Sequence, residues 1–357
     1  MFKEKTVFVI GAGASAEYGP GAFPIGSGLR EQIAQMSQLA RGAANSTAHD
    51  KLLSYHLKKK YSQAEIDARL EALQLIRTRI YLYNSIDAFI DRHHDNQHVA
   101  EIGKIQIGCA IAQAEAKSTL TAALLESENG LFKLGQMKDT WLEPFARQLF
   151  TGVREASNVG RDVTIICFNY DRCIEHYLMH AISQSYGVSF EEAHQIVEDM
   201  DIIHPYGTLG RLPGSARPGE YETPFGAAVT NETPIWSWAE RLKTYTERVE
   251  EVETLKRIRS AIAYSHQLIF LGFGFTPENM TLLFSGEETK QPTRKLIYST
   301  GKGISRQDAL AVRHKIGRLF ELDYGAIGGG SWRNEATIEH DVTCKQMFEL
   351  YWQTFAR

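Results

Sequence analysis

Residues 7–19, VFVIGAGASAEYG, pass from an apolar run straight into small residues. The run TVFVI over 6–10, β-branched and aromatic and ended by Gly, reads as a buried strand. Gly-x-Gly after such a strand permits a tight turn and lets a phosphate approach backbone N–H groups. Gly11, Gly13 and Ala16 fit the Gly-x-Gly-x-x-Gly/Ala spacing of dinucleotide-binding turns. The same residues also suit a plain strand-to-loop turn, so the motif alone selects no chemistry. EYGPGAFPIGSG, with Gly and Pro at short intervals, reads as a loop.

A dinucleotide dehydrogenase needs a second strand ending in an acidic residue about 20 positions on. LREQIAQMSQLARG lies there instead, with helical spacing and Glu31 near its start. A hydride-transfer enzyme therefore fits poorly. No G-x-x-x-x-G-K-[S/T] occurs either, and GKG at 301–303 lacks the spacing of a triphosphate-binding loop.

From about 30 to 155 the chain reads as helices, among them AEIDARLEALQLIRTRIYLYNSIDAFIDRHH and WLEPFARQLFTGVREA. Strand signals resume at VTIICF (163–168), DIIH (201–204), QLIFLGF (267–273), RKLIYS (294–299) and GRLFELDY (317–324), mostly separated by helical runs. Alternating strands and helices predict an α/β chain, with a Rossmann-like, mainly parallel sheet covered by helices on both faces. Residues 1–330 form the expected domain, with 30–155 a large helical insertion after the first strand. Residues 331–357 read as a C-terminal loop and helix.

With 39 basic and 43 acidic side chains the net charge is −4, and nothing global favours nucleic acid. Lys58 to Lys60 read as a solvated helix face. Cys109, Cys167, Cys173 and Cys344 are scattered and form no CxxC pair, which argues against a zinc module or disulfide framework and fits a cytoplasmic protein. No apolar stretch of about 18 residues is present, so no membrane span is expected.

Ligands of an open parallel sheet bind beyond the carboxyl ends of its strands. Asn169 and Asp171 follow the 163–168 run, and His204 follows DII. Gly272 and Gly274 end the next run, with Thr276, Glu278 and Asn279 close by, and Ser299 and Thr300 follow KLIY. Each has an ordinary structural role open to it: an Asx-turn or helix cap for Asn169 and Asp171, a satisfied half-buried histidine for His204, close packing for the glycines. Their coincidence on one rim is what points to a site.

GAGAS, the Gly/Pro loop, FNYD, IIHPYGTLG and LIFLGFGF together, in this order, resemble the sirtuin signature over residues 6–24 and 163–300. The resemblance implies that Gly11, Ala12, Gly13, Ala14 and Ser15 form an NAD-binding turn. It implies that Asn169 and Asp171 flank the nicotinamide ribose and that His204 is the catalytic base. Gly272 and Gly274 would lie near the adenosine side, and Ser299 and Thr300 would stand in the place of a ribose contact. Three features depart from the family pattern. Residues 205–267 hold no cysteine for a zinc module, Phe168 stands where glutamine is usual, and FPIGSGLRE replaces the Asp-Phe-Arg segment.

FNYD, SIDAFI (85–90) and the zinc-free layout are closer to the sirtuin-like NAD hydrolases of bacterial antiphage defence. That likeness implies cleavage of NAD, as substrate, to nicotinamide and ADP-ribose, depleting NAD in abortive infection, with no metal. It also implies a homo-oligomer and a partner protein such as a HerA-type hexameric ATPase. An NAD-dependent protein deacylase and a non-catalytic NAD or ADP-ribose sensor remain as alternatives.

Overall fold

A computed structural model describes residues 2, 5–19, 23–37, 47–126, 131–214, 221–285, 295–320 and 335–356. Among these, β1 (Thr6–Ile10), β2 (Val163–Cys167), β3 (Asp201–Ile203), β4 (Gln267–Leu271), β5 (Leu296–Gly301) and β6 (Glu335–His340) form one sheet. Every pairing is parallel and the order is β3-β2-β1-β4-β5-β6. This is a Rossmann-like doubly wound arrangement, and its order reverses between β1 and β4. Ile10 lies opposite both Cys167 and Leu271, so β1, β2 and β4 end level with one another.

Alternation along the strands divides the core in two. Val7, Val9, Ile166, Leu268, Phe270 and Ile297 face one apolar cluster, built with the helices Gly26–Met36, Gln63–Arg79, Gln97–Lys117 and Val252–Tyr264. Phe8, Ile10, Ile165, Cys167, Ile269 and Leu271 face the other, with Leu142–Phe150, Cys173–Tyr186 and Cys344–Phe355. All five residues of β1 and of β4 are buried, which is why both read as continuous apolar runs rather than alternating ones.

Among the described residues, the insertion between β1 and β2 holds helices and no strand, from Gly26–Met36 through Leu142–Phe150. Its longest member, Gln97–Lys117, lies deep, with Ile102, Ile105, Cys109 and Ala110 each almost wholly buried. The block therefore shares the core of the sheet. Lys58, Lys59 and Lys60 are exposed at the last turn of Ala48–Lys60, where cations suit the carboxyl end of the helix dipole.

The strand expected over 317–324 is a correction. Residues 317–320 end the helix Arg306–Phe320, and 321–324 lie outside the described residues. Ser305 caps that helix, its Oγ accepting from Asp308 N at 3.1 Å. Val312 and Ile316, one turn apart, both pack on the core, so the helical period carries through. The sheet gains its last strand later, as β6 pairs with β5 from Leu296–Glu335 to Gly301–His340. The terminal segment thus adds a strand to the sheet before its helix. No helix among the described residues is long and apolar enough to cross a membrane.

Candidate active site at the carboxyl edge of the sheet

The turn after β1 is held to the end of β4 by backbone. Gly11 N–H donates to Leu271 O at 2.9 Å and Gly13 N–H to Gly272 O at 3.0 Å. A Cβ on Gly11 would lie 2.5 Å from Gly272 O, and one on Gly272 only 2.1 Å from Ala14 N. Gly272 also has φ +58°, a left-handed conformation that favours glycine. These glycines therefore have a packing reason to be present. Gly274 does not, since nothing comes nearer than 4.0 Å to a Cβ there. Ala12–Ser15 make a single helical turn, and Trp141 Nε1 buttresses it by donating to Ala14 O at 3.2 Å.

Ser299 and Thr300 are both buried and act within the fold. Ser299 Oγ donates to Thr300 O at 2.9 Å, and Thr300 Oγ1 accepts from Gly272 N at 2.8 Å.

One strand over, the FNYD segment points alternate side chains to opposite sides. Phe168 and Tyr170 join the first apolar cluster. Asn169 and Asp171 turn toward the β1 turn, where Ser15 links them. Asn169 Nδ2 donates to Ser15 Oγ at 2.7 Å and to Gly11 O at 3.0 Å, and Ser15 Oγ donates to Asp171 Oδ2 at 2.7 Å. Asp171 Oδ1 accepts from Cys173 N at 3.2 Å, so the carboxylate also steadies the start of Cys173–Tyr186. The capping role and the Ser15 contact are held by one side chain. Burial raises the Asp171 pKa, with Ser15 and Cys173 opposing it.

His204, just past β3, reaches the same segment. Its Nδ1 sits 3.0 Å from Asn169 O and its Nε2 2.6 Å from Glu175 Oε1. A carbonyl only accepts, so Nδ1 carries a proton, and an ionised carboxylate requires one on Nε2 as well. Burial disfavours the imidazolium, but the Glu175 carboxylate outweighs it and holds His204 well above the ordinary histidine value. Glu175 is in turn held low, the imidazolium overcoming the effect of its burial. With Glu175 ionised, His204 is held as a cation with both ring nitrogens engaged.

Glu175 carries no motif of its own. Its spacing of four from Asp171, at the start of a helix, was the available signal, and acidic residues are common there for dipole reasons. Together with Arg172, His194, Glu198, His204 and Arg211 it borders a cavity of about 250 Å³ against β3.

On the β2 side the insertion is tied to this rim through Glu115 and Asp87. Arg172 makes a buried pair with Glu115 of Gln97–Lys117, Nη2 to Oε2 at 2.6 Å and Nε to Oε1 at 3.2 Å. Its Nη1 donates to Thr223 O at 2.5 Å. Tyr170 OH donates to Asp87, within SIDAFI, and Tyr206 OH donates to Asn279 Oδ1 at 2.7 Å.

Among the described residues no group of three or more His, Cys, Asp and Glu could hold a metal ion. Fold and rim define a Rossmann-like α/β protein with an Asn-Ser-Asp chain and a His-Glu pair beside its switch point. No protein-family model, curated protein or solved structure matches this chain.

Proposed function

We propose that the chain is an NAD glycohydrolase, cleaving the nicotinamide–ribose bond to give nicotinamide and ADP-ribose. One observation carries this reading. Ser15, Asn169 and Asp171 converge within hydrogen-bond distance at the ends of β1 and β2, next to the switch point, with His204 bonded to the Asn169 carbonyl. The sequence resemblance supplies the reaction class.

Nicotinamide leaves as a neutral molecule, so no general acid is needed to protonate it. The site has three tasks: to orient the ribose, to offset its growing positive charge, and to take a proton from water. Asn169 and Asp171 orient the ribose hydroxyls. Asp171, a carboxylate whose proton affinity burial has raised, takes the water proton through the Ser15 hydroxyl. The positive charge of His204 is balanced by Glu175, so His204 serves to fix the Asn169 backbone. NAD depletion as an antiphage effector, switched on by assembly or by a partner such as a HerA-type ATPase, follows from the resemblance.

A second reading, a module that binds NAD or ADP-ribose without turnover, draws on Asn169 and Asp171 being bonded mainly within the protein. The test is to incubate the purified chain with NAD, alone and with the protein encoded beside it, and follow products by chromatography. Equal release of nicotinamide and ADP-ribose without an acyl-lysine peptide is the expected result. Release only with that peptide would make the chain a deacylase, and binding with no release would favour the sensor.

A further inference from the structure

Four observations meet at Glu175. It is the acidic partner of His204 Nε2, at 2.6 Å. The opposite ring nitrogen faces the carbonyl of Asn169, whose amide holds Ser15 and Gly11 O. Its second oxygen, Oε2, is buried with no hydrogen-bond partner, so Oε1 alone makes its side-chain contact. The pair also borders the β3 cavity.

With Glu175 ionised, as its lowered pKa favours, these contacts allow His204 one protonation state. A neutral ring has a single N–H. With that proton on Nδ1, the Nε2 lone pair would face the Glu175 carboxylate. With it on Nε2, the Nδ1 lone pair would face Asn169 O. Both arrangements are repulsive, and the imidazolium removes both. Without the carboxylate, the second proton has no acceptor and the ring can release Asn169 O.

We propose that Glu175 is a positioning residue of the candidate site, acting through His204 to fix the Asn169 backbone and, with it, the amide that holds Ser15. Glu175 touches none of the reacting atoms. Beside Glu175, Cys167 on β2 also raises the His204 value and Asp171 in the following loop interacts with the ring's charge, while Arg172, His194, Glu198 and Arg211 line the rest of the cavity. Burial pushes the Cys167 thiol up, which keeps it uncharged.

The proposal deepens the glycohydrolase reading, but its first test does not depend on it. ¹⁵N-histidine-labelled protein is titrated by NMR, with His204 assigned by loss of its signals in His204→Gln. In the wild-type chain His204 stays doubly protonated well above the ordinary histidine value. In Glu175→Gln, verified as folded by its circular dichroism, the titration moves down by about one unit or more. Glu175→Asp retains the charge and restores much of the shift. The second test is nicotinamide release, where Glu175→Gln lowers kcat by about 10–100-fold with KM little changed. An unchanged His204 titration in Glu175→Gln would overturn the proposal, as would a shifted titration with unchanged kcat. If the wild-type chain released no nicotinamide, the glycohydrolase reading would fall, and the NMR result alone would decide whether Glu175 sets the state of His204.

Discussion

The two halves of the sheet's carboxyl edge are built in different ways. Where β1 meets β4, glycine backbones touch, and Gly11, Gly13 and Gly272 leave no space for a Cβ. Where β2 meets β1 on one side and β3 on the other, side chains do the joining, through Ser15, Asn169, Asp171, His204 and Glu175. The first half resembles a phosphate cradle in sequence, yet two of its N–H groups are committed to β4. The second half holds the titratable groups and the hydroxyl that chemistry needs. A glycine fingerprint can thus report how tightly two strands meet as much as what they bind.

The comparison breaks most easily at Gly272. Gly272→Ala combines a left-handed backbone with a clash against Ala14 N, and is expected to cost about 4 kcal/mol or more in urea unfolding. Next comes the tie between the insertion and the β2 rim. Glu115→Gln leaves the Arg172 guanidinium buried without its carboxylate, and about 3–5 kcal/mol should be lost by the same measurement. Ser15→Ala leaves Asn169 Nδ2 with one partner fewer and removes a donor to Asp171, costing about 1–3 kcal/mol.

A pH series sharpens the β2–β3 side. His204 is held above 6.5, so its contribution to stability is complete below that pH and is lost as pH rises through its folded value. Glu175 is held below 4.5, so its contribution is present above that pH and is lost as pH falls through its folded value. The pair supports the fold fully between these limits. Melting temperatures should therefore show a decline in alkali that His204→Gln flattens. The smallest effect is expected at Gly274, where Gly274→Ala should change stability by no more than about 0.5 kcal/mol. A large loss there would mean that the β1–β4 half depends on more than close contact.

Much of this architecture was legible in the sequence because buried parallel strands are apolar throughout. TVFVI and QLIFL have nearly every residue in the core. EATIEH was not legible as a strand, since its acidic residues are those of a sheet edge, and of it Ala336 is deeply buried. GRLFELDY misled because its apolar residues suit either period, and the helix already under way from Arg306 claims the first half. On the rim, Asn169, Asp171 and His204 could be found because each follows a strand. Glu175 could not, because an acid at the start of a helix is ordinary, and its pairing depends on where β3 sets His204. Ser299 and Thr300, expected to follow a strand, lie within β5, and burial turns their hydroxyls to the backbone.

The most direct test of the central claim is the rate of nicotinamide release from NAD by Asn169→Ala against the wild-type chain, both shown to be folded. The account predicts a loss of about 100-fold or more, because the amide that orients Ser15 and the ribose is gone. Equal rates would contradict it and move the chemistry away from the β2–β3 side of the edge.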